Sequence, residues 1–355
     1  MSTTLRVAAV QAEPVWLDAA ATTDKTVQMI EDASRGGAKL VAFPEVWIPG
    51  YPVFLWAYMV QEQMPYVARF RANSIAVDGE EIARIREAAR VNKITVAVGF
   101  SEKSGGSLYM SQVLIGEDGE RQIYRRKLKP THAERSLFGE GNGSDIVVAD
   151  TSLGRVGALN CWEHLQPLTK YAMYAQNEQI HIAGWPCLGI LGYVQAFTPE
   201  ASMAATQTYA LEGSSYTIAA TQIMSDEGAL VFPSPDGGPC PVYTGGGGYA
   251  RVYGPDSALL STPLDPCEEG LVYADIDLDH IAISKTFADP AGHYARPDVT
   301  ALLFDARPKR PVVYLGNEPK AAAEKSLVRM PEALLDGVEK EIGEIVGDST
   351  LVESP

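Results

Sequence analysis

The chain has 355 residues, of which 46% are hydrophobic and 21% charged, with a formal net charge of -16. That length holds one large domain or two ordinary ones with ample core, so no disulfide or metal staple is needed. The acidic balance argues against a nucleic-acid or anionic-membrane partner, since both reward positive patches, and leaves a soluble protein acting on a neutral or small substrate.

Taken in chain order, "LRVAAVQ" reads as a strand, 24–35 as a helix, "KLVAFP" as a strand, "EEIARIREAARVN" as a helix and "KITVAVGF" as a strand. Such alternation predicts an α/β fold. Next, "SLYMSQVLIG" and "ERQIYRRK" flank Glu117-Asp118-Gly119, a hairpin pattern that makes the sheet mixed. The rhythm resumes with "DIVVAD", "RVGALN", a helix from about Gln166, "QIHIAG", a helix over 202–212 and "YTIAAT". A second hairpin turns at Gly254-Pro255-Asp256, and "GLVYADIDLDHIAIS" closes the core with a strand and a helix. No linker composition divides this stretch, so 1–306 is expected to be one domain. From 307 to 355 the composition shifts to Pro, Lys, Glu and Ala, a solvated tail or an arm gripping another subunit.

Cys161, Cys187, Cys240 and Cys267 show no framework spacing, which points to a reducing compartment. The first apolar run is broken by Gln11, Glu13 and Pro14 and is no signal peptide, so a cytoplasmic location is expected. The uncharged segment 179–199 contains Gln179, His181, Gly184 and Pro186. A spanning helix wants ~20 mostly apolar residues, so this is read instead as a buried strand plus a pocket-forming loop.

An unpaired cysteine is more often core than catalyst, so Cys161 needs partners to be read otherwise. Its segment, "GALNCWEHLQPLTKYAM", places it between an apolar strand and a helical pattern. There a turn presents the thiol, a helix dipole favours an anion, and the next backbone N–H can bind developing charge. An unperturbed thiol is only about 3% ionised at neutral pH, so helpers are required. Glu45, in "LVAFPEVWIPGYP", follows a buried strand, where α/β sheets place their chemistry. Lys127, in "YRRKLKPTHAERSLFGEG", ends another strand, with most of its basic neighbours read as solvated, and Glu134 follows it. A Glu, a Lys and a Cys at three strand ends are the residue types that thiol-based acyl chemistry needs without a histidine.

His164 stands three residues after Cys161, but no second Cys/His pair at metal spacing occurs, so no metal is expected. The glycine runs "GEGNG" and "GGGG" lack the P-loop pattern and are read as turns. Tyr51, Phe54, Trp56, Trp162, Trp185 and Phe197 flank the motif segments, and loops after strand ends line pocket mouths. From these, Tyr51, Trp162 and Trp185 are taken with His164 as substrate contacts; hydrogen-bonding support or simple packing are the alternatives for His164.

Over roughly 7–304 the chain resembles the nitrilase (carbon–nitrogen hydrolase) superfamily, and specifically its true nitrilase branch. The resemblance rests on "AFPEVWIPGYP", "RRKLKPTHAERSLFGEGNGSD", "GALNCWEHLQPLTKYAM", "EQIHIAGWP" and "DPAGHYARPDV", in that order. It implies Glu45 as general base, Lys127 as the cation stabilising a tetrahedral intermediate, Cys161 as nucleophile, and Glu134 as the group orienting the lysine or a water. Cys-Trp-Glu at 161–163 is more similar to nitrilases than to amidases or carbamoylases. The resemblance further implies a four-layer α-β-β-α sandwich with mixed sheets, no cofactor, and a homo-oligomer, either a dimer or a larger spiral. The substrate is expected to be a small nitrile, aromatic or arylaliphatic given the aromatic residues. An amidase, carbamoylase or cyanide-hydrolysing enzyme on the same scaffold is the alternative.

Overall fold

The computed structural model describes residues 4–309. In chain order it contains β1 (Thr4–Ala12), α1 (Ala19–Arg35), β2 (Leu40–Ala42), α2 (Phe54–Ala57), α3 (Val60–Ala72), α4 (Glu80–Asn92) and β3 (Thr95–Ser104). Then come β4 (Ser107–Ile115), β5 (Arg121–Arg126), the short β6 (Phe138–Gly139), β7 (Val148–Thr151), β8 (Gly154–Asn160) and α5 (Pro167–Tyr174). β9 (Ile180–Trp185), α6 (Pro199–Gly213), β10 (Tyr216–Gln222), α7 (Asp226–Ala229), β11 (Arg251–Tyr253), β12 (Gly270–Asp277) and α8 (Asp279–Phe287) complete it.

β1 meets β10 only through Gln11–Thr221 and Ala12–Gln222, whereas β12 lies antiparallel along β1 from Thr4 to Gln11. The strands therefore form two sheets joined at one corner: β5-β4-β3-β2-β1-β12 and β11-β10-β9-β8-β7. Each has three parallel strands at its centre with antiparallel strands outside them. Side chains alternate along a strand, and that period sorts the layers. Val7 and Ala9 of β1 meet Ile180, Ile182, Ile218 and Ala220 between the sheets. Ala8 and Val10 face the other way, onto Met29 and Ile30 of α1 and Ile82 and Ile85 of α4. On the far side, Leu159 packs on Met173 and Tyr209, and Ala183 and Ala219 on Met203. The order is thus helices, sheet, sheet, helices, the four layers expected.

Both hairpins turn where expected, although the second arm after Gly254 is irregular, held by Leu260 N–H donating to Val252 O. The sequence patterns did not reveal α3. It contains Pro65 and buries only Phe70, so it has no apolar stripe to read. Among the described residues no helix is long and apolar enough to cross a membrane, and 179–199 is β9 followed by loop. Nearly all of the tail expected over 307–355 lies outside the described residues.

Candidate active site

Glu45 lies on a sharp turn after β2. Its N–H donates to Trp185 O at 3.3 Å and its carbonyl accepts from Gln222 Nε2 at 2.7 Å, so the opposite sheet holds this residue through both of its backbone groups. Close approach of β3 makes room for it at Gly99, where a Cβ would lie 2.4 Å from Pro44 O and 2.9 Å from Val46 N. Both neighbours are backbone, so Gly99→Ala must displace the Glu45 turn. Misplacing a reacting group by about 1 Å costs on the order of 100-fold, so kcat/KM for the variant is expected to fall by about 10- to 100-fold while circular dichroism shows an intact fold.

Lys127 continues β5, its N–H donating to Met110 O at 2.8 Å. Residues 123, 125 and 127 share the inward face, so Arg125 and Lys127 are both buried, at 0% and 1% exposure, and Lys129 is exposed. The expectation that most of the basic neighbours are solvated is thereby corrected: strand parity buries Arg125, and Arg126 is half-buried. Lys127 Nζ donates to Glu45 Oε1 and to Glu134 Oε2, each at 2.8 Å. Glu134 is fixed in turn by Tyr51 OH at 2.6 Å and by Thr131 N–H at 2.5 Å, while Trp56 Nε1–H donates to Tyr51 OH at 3.1 Å.

Cys161 follows β8 with φ +47°, left-handed backbone that costs a non-glycine residue on the order of 1–3 kcal/mol. The helix expected from about Gln166 begins at Pro167, but it does not start at Cys161 as the junction reading required: Cys161–Leu165 is a single 3-10 turn. A helix dipole therefore does not act on the sulfur. What holds the turn is Glu163, which accepts from Asn160 N–H and Leu128 N–H at 2.8 Å each and from Arg125 Nη2 at 2.6 Å. Burial opposes its charge, but the Arg125 guanidinium and these donors keep its carboxyl below the usual range.

The electrostatics of the cluster follow from dryness and charge count. Burial, reinforced by the Glu45 carboxylate and opposed by Lys127, raises the Cys161 thiol well above its ordinary value. Burial also pushes Glu45 up, against the pull of Lys127, to about 8. Glu45 Oε2 is buried with no hydrogen-bond partner, which leaves one carboxylate oxygen open to a proton. For Lys127, burial disfavours the charge, yet Glu134 and Glu45 outweigh it and the ammonium is held.

A narrow cavity opens on Cys161 and Glu134, walled by Tyr51, Trp56, Trp162, Leu188 and Phe197. Phe197 stacks on Trp162 at 4.7 Å and meets Trp56 edge-on at 5.3 Å. Glu45 and Lys127 lie fully buried beyond that wall. Of the expected substrate contacts, Tyr51 and Trp162 line the cavity; Trp185 and His164 do not. Trp185 is on the helix-facing side of β9, with Ala183, so the pocket wall begins one residue later at Pro186. His164 turns back under Cys161, its Nδ1 2.6 Å from Cys161 O. Phe54 is core, whereas Cys187 is a wall thiol. Sequence reasoning missed Gln222, whose side chain holds Glu45 from a segment with no motif, and Thr131, whose backbone N–H holds Glu134 from within the Lys127 motif itself. It also passed over Arg125, which its spacing of two from Lys127 would have placed on the same face.

Residues 6–285 match the family model described as carbon-nitrogen hydrolase. An aliphatic nitrilase of Rhodococcus rhodochrous is 51% identical over 311 residues, 87% of this chain and 85% of its own. A bromoxynil-specific nitrilase of Klebsiella pneumoniae subsp. ozaenae is 50% identical over 313 residues, 88% of each chain. The crystal structure of a carbon-nitrogen hydrolase from Helicobacter pylori G27 has the same fold, with a TM-score of 0.66 at 19% identity, covering 83% of this chain and 96% of that one. The chain belongs to the carbon–nitrogen hydrolase family, on its nitrilase branch.

Proposed function

We infer that this protein hydrolyses an organic nitrile to its carboxylic acid and ammonia, with Cys161 as the nucleophile and no cofactor. The observation that carries the reading is a dry ammonium, Lys127, shared by two carboxylates beside a thiol that opens onto an aromatic cavity. The Cys161 sulfur attacks the nitrile carbon while Glu45 takes the thiol proton, and protonation of the nitrile nitrogen gives a thioimidate. A raised carboxyl is the better base for a raised thiol, because the proton transfer is then closer to balanced. Water adds to the thioimidate, Lys127 and the Trp162 backbone N–H stabilise the charged tetrahedral species, and ammonia leaves a thioester. A second water, deprotonated by Glu45, releases the acid and restores the thiol. Glu134, tied to Tyr51 and Thr131, orients Lys127.

The two relatives differ in the substrates their names carry at nearly equal identity, so the substrate class is argued from the cavity. Four aromatic side chains and Leu188 around the cavity favour an aromatic or arylaliphatic nitrile, whose ring stacks or meets them edge-on. Ammonia and acid release from benzonitrile, phenylacetonitrile and butyronitrile, with phenylacetamide as control, tests both parts. Turnover of the aryl nitriles with little from butyronitrile or the amide is expected. Hydrolysis of the amide alone would replace the reading with an amidase.

A further inference from the structure

A second cluster of buried titratable groups lies behind Cys161, on the side away from the cavity, and the chemistry above does not use it. His164 Nδ1 is 2.6 Å from Cys161 O, and His164 Nε2 is 2.9 Å from His181 Nε2. His181 Nδ1 is 2.8 Å from Glu178 Oε1, and Tyr209 OH donates to Glu178 Oε2 at 2.5 Å. Glu178, His181, His164 and Tyr209 are exposed by no more than 2%. Rings clamp the chain of bonds: Tyr209 stacks on His181 at 3.7 Å and Trp185 on His164 at 5.3 Å.

The protons of this chain can be counted. A carbonyl only accepts, so His164 Nδ1 carries a hydrogen toward Cys161. With His164 neutral its Nε2 is a bare acceptor, so His181 Nε2 must carry the next hydrogen. With His181 neutral its Nδ1 is bare, and Glu178 must supply the third as a carboxylic acid. An ionised carboxylate with two neutral imidazoles holds one proton too few and would set two lone pairs face to face in a dry site. The surroundings favour the neutral arrangement. Burial pushes Glu178 up to about 8 and His164 down to about 3. Burial and the Arg125 charge depress His181, and Lys170 also opposes a charge on His164, although Glu163 pulls both the other way. The remaining groups on that side are paired elsewhere: Lys170 and Tyr174 both donate to Glu212, and Tyr174 packs on Tyr209.

The peptide at the end of the chain links Cys161 to Trp162, and its N–H favours negative charge on the Cys161 sulfur. A donor on the carbonyl of a peptide fixes its plane and strengthens its N–H as a donor. We propose that Glu178, His181 and His164 are positioning residues for the hydrolytic reaction, a relay that keeps its extra proton to hold the Cys161–Trp162 peptide with its N–H on the reacting centre. The proposal rests on the reading of Cys161 as nucleophile.

His181→Phe removes the middle link and leaves an apolar ring against Tyr209. Losing one oxyanion donor outright costs about 100- to 1,000-fold, so misorienting it is expected to lower kcat by roughly 10- to 100-fold with KM little changed. In Glu178→Gln the carboxamide still donates to His181 Nδ1 and accepts from Tyr209, so it is expected to recover most of the kcat that Glu178→Leu loses. In the wild type, ¹⁵N-histidine spectra are expected to show two neutral, opposite tautomers, hydrogen on Nδ1 at His164 and on Nε2 at His181. Wild-type kcat in His181→Phe, equal losses in Glu178→Gln and Glu178→Leu, or an imidazolium at His181 would each overturn the relay. Wild-type turnover in Cys161→Ala would instead remove the nucleophile reading beneath it.

Discussion

Glu45→Gln will lower kcat for nitrile hydrolysis by about 100- to 10,000-fold, the range a general base supplies, and Cys161→Ala will lower it to background. The reason is that the resting site holds a thiol and not a thiolate. Burial and the Glu45 charge raise Cys161 beyond what Lys127 offsets, so attack must be coupled to proton removal, and among the described residues Glu45 is the one carboxylate with a buried, unpartnered oxygen to receive the proton. The amide keeps the size of the side chain and its contact with Lys127 but cannot take that proton. A pH profile separates this from simple misplacement. Glu45 works as the ionised base, and burial raises its carboxyl to about 8, so in the wild type kcat/KM is expected to climb as pH rises through that value and to be lost below it. The residual rate of Glu45→Gln should lack that limb. Intact mass adds a second reading: a slow nitrile leaves a thioimidate adduct on the wild type and none on Cys161→Ala. A Glu45→Gln enzyme with the parent rate and the parent profile would remove Glu45 from the chemistry.

Three residues of the candidate site were legible because each ends a strand. Strand ends can be read from apolar runs meeting a proline or a turn, and Glu45, Lys127 and Cys161 stand at such points on β2, β5 and β8. What pairs across the fold could not be read that way. The shared ammonium depends on two strands of one sheet and a 3-10 turn converging, and Gln222 reaches Glu45 from the other sheet. Period-two alternation carried more information than was drawn from it. It places Arg125 with Lys127 on the buried face, and it turns Trp185 toward the helices, away from the cavity its aromatic character suggested. His164 misled for a different reason. A histidine three residues after a nucleophile invites a catalytic or substrate-binding role, and only the partner that receives its other nitrogen, His181 on β9, shows which way the ring faces.

Lys127→Met is expected to cost both activity and stability, and the two losses can be separated. Lys127 donates to Glu45 and Glu134 in a site with essentially no solvent, and removing one partner of a buried ion pair costs about 3–5 kcal/mol because the remaining charge is uncompensated. Urea unfolding should show that loss as a lower midpoint with an unchanged slope. One way for the site to relieve it is to protonate a carboxylate. That leaves still less of Glu45 ionised to act as base at neutral pH, and the tetrahedral species also loses its cation. The expected fall in kcat is therefore at least the roughly 100- to 1,000-fold that follows loss of a single charge-stabilising donor. Adding Glu134→Gln to Lys127→Met removes one of the two stranded charges while keeping an acceptor for Tyr51 OH, so the double variant should recover part of the stability. It should recover none of the turnover, because the cation is still missing where charge develops. A double variant that regained both would mean that Lys127 serves only to neutralise the glutamates, and the stabilising role would pass to the Trp162 N–H alone.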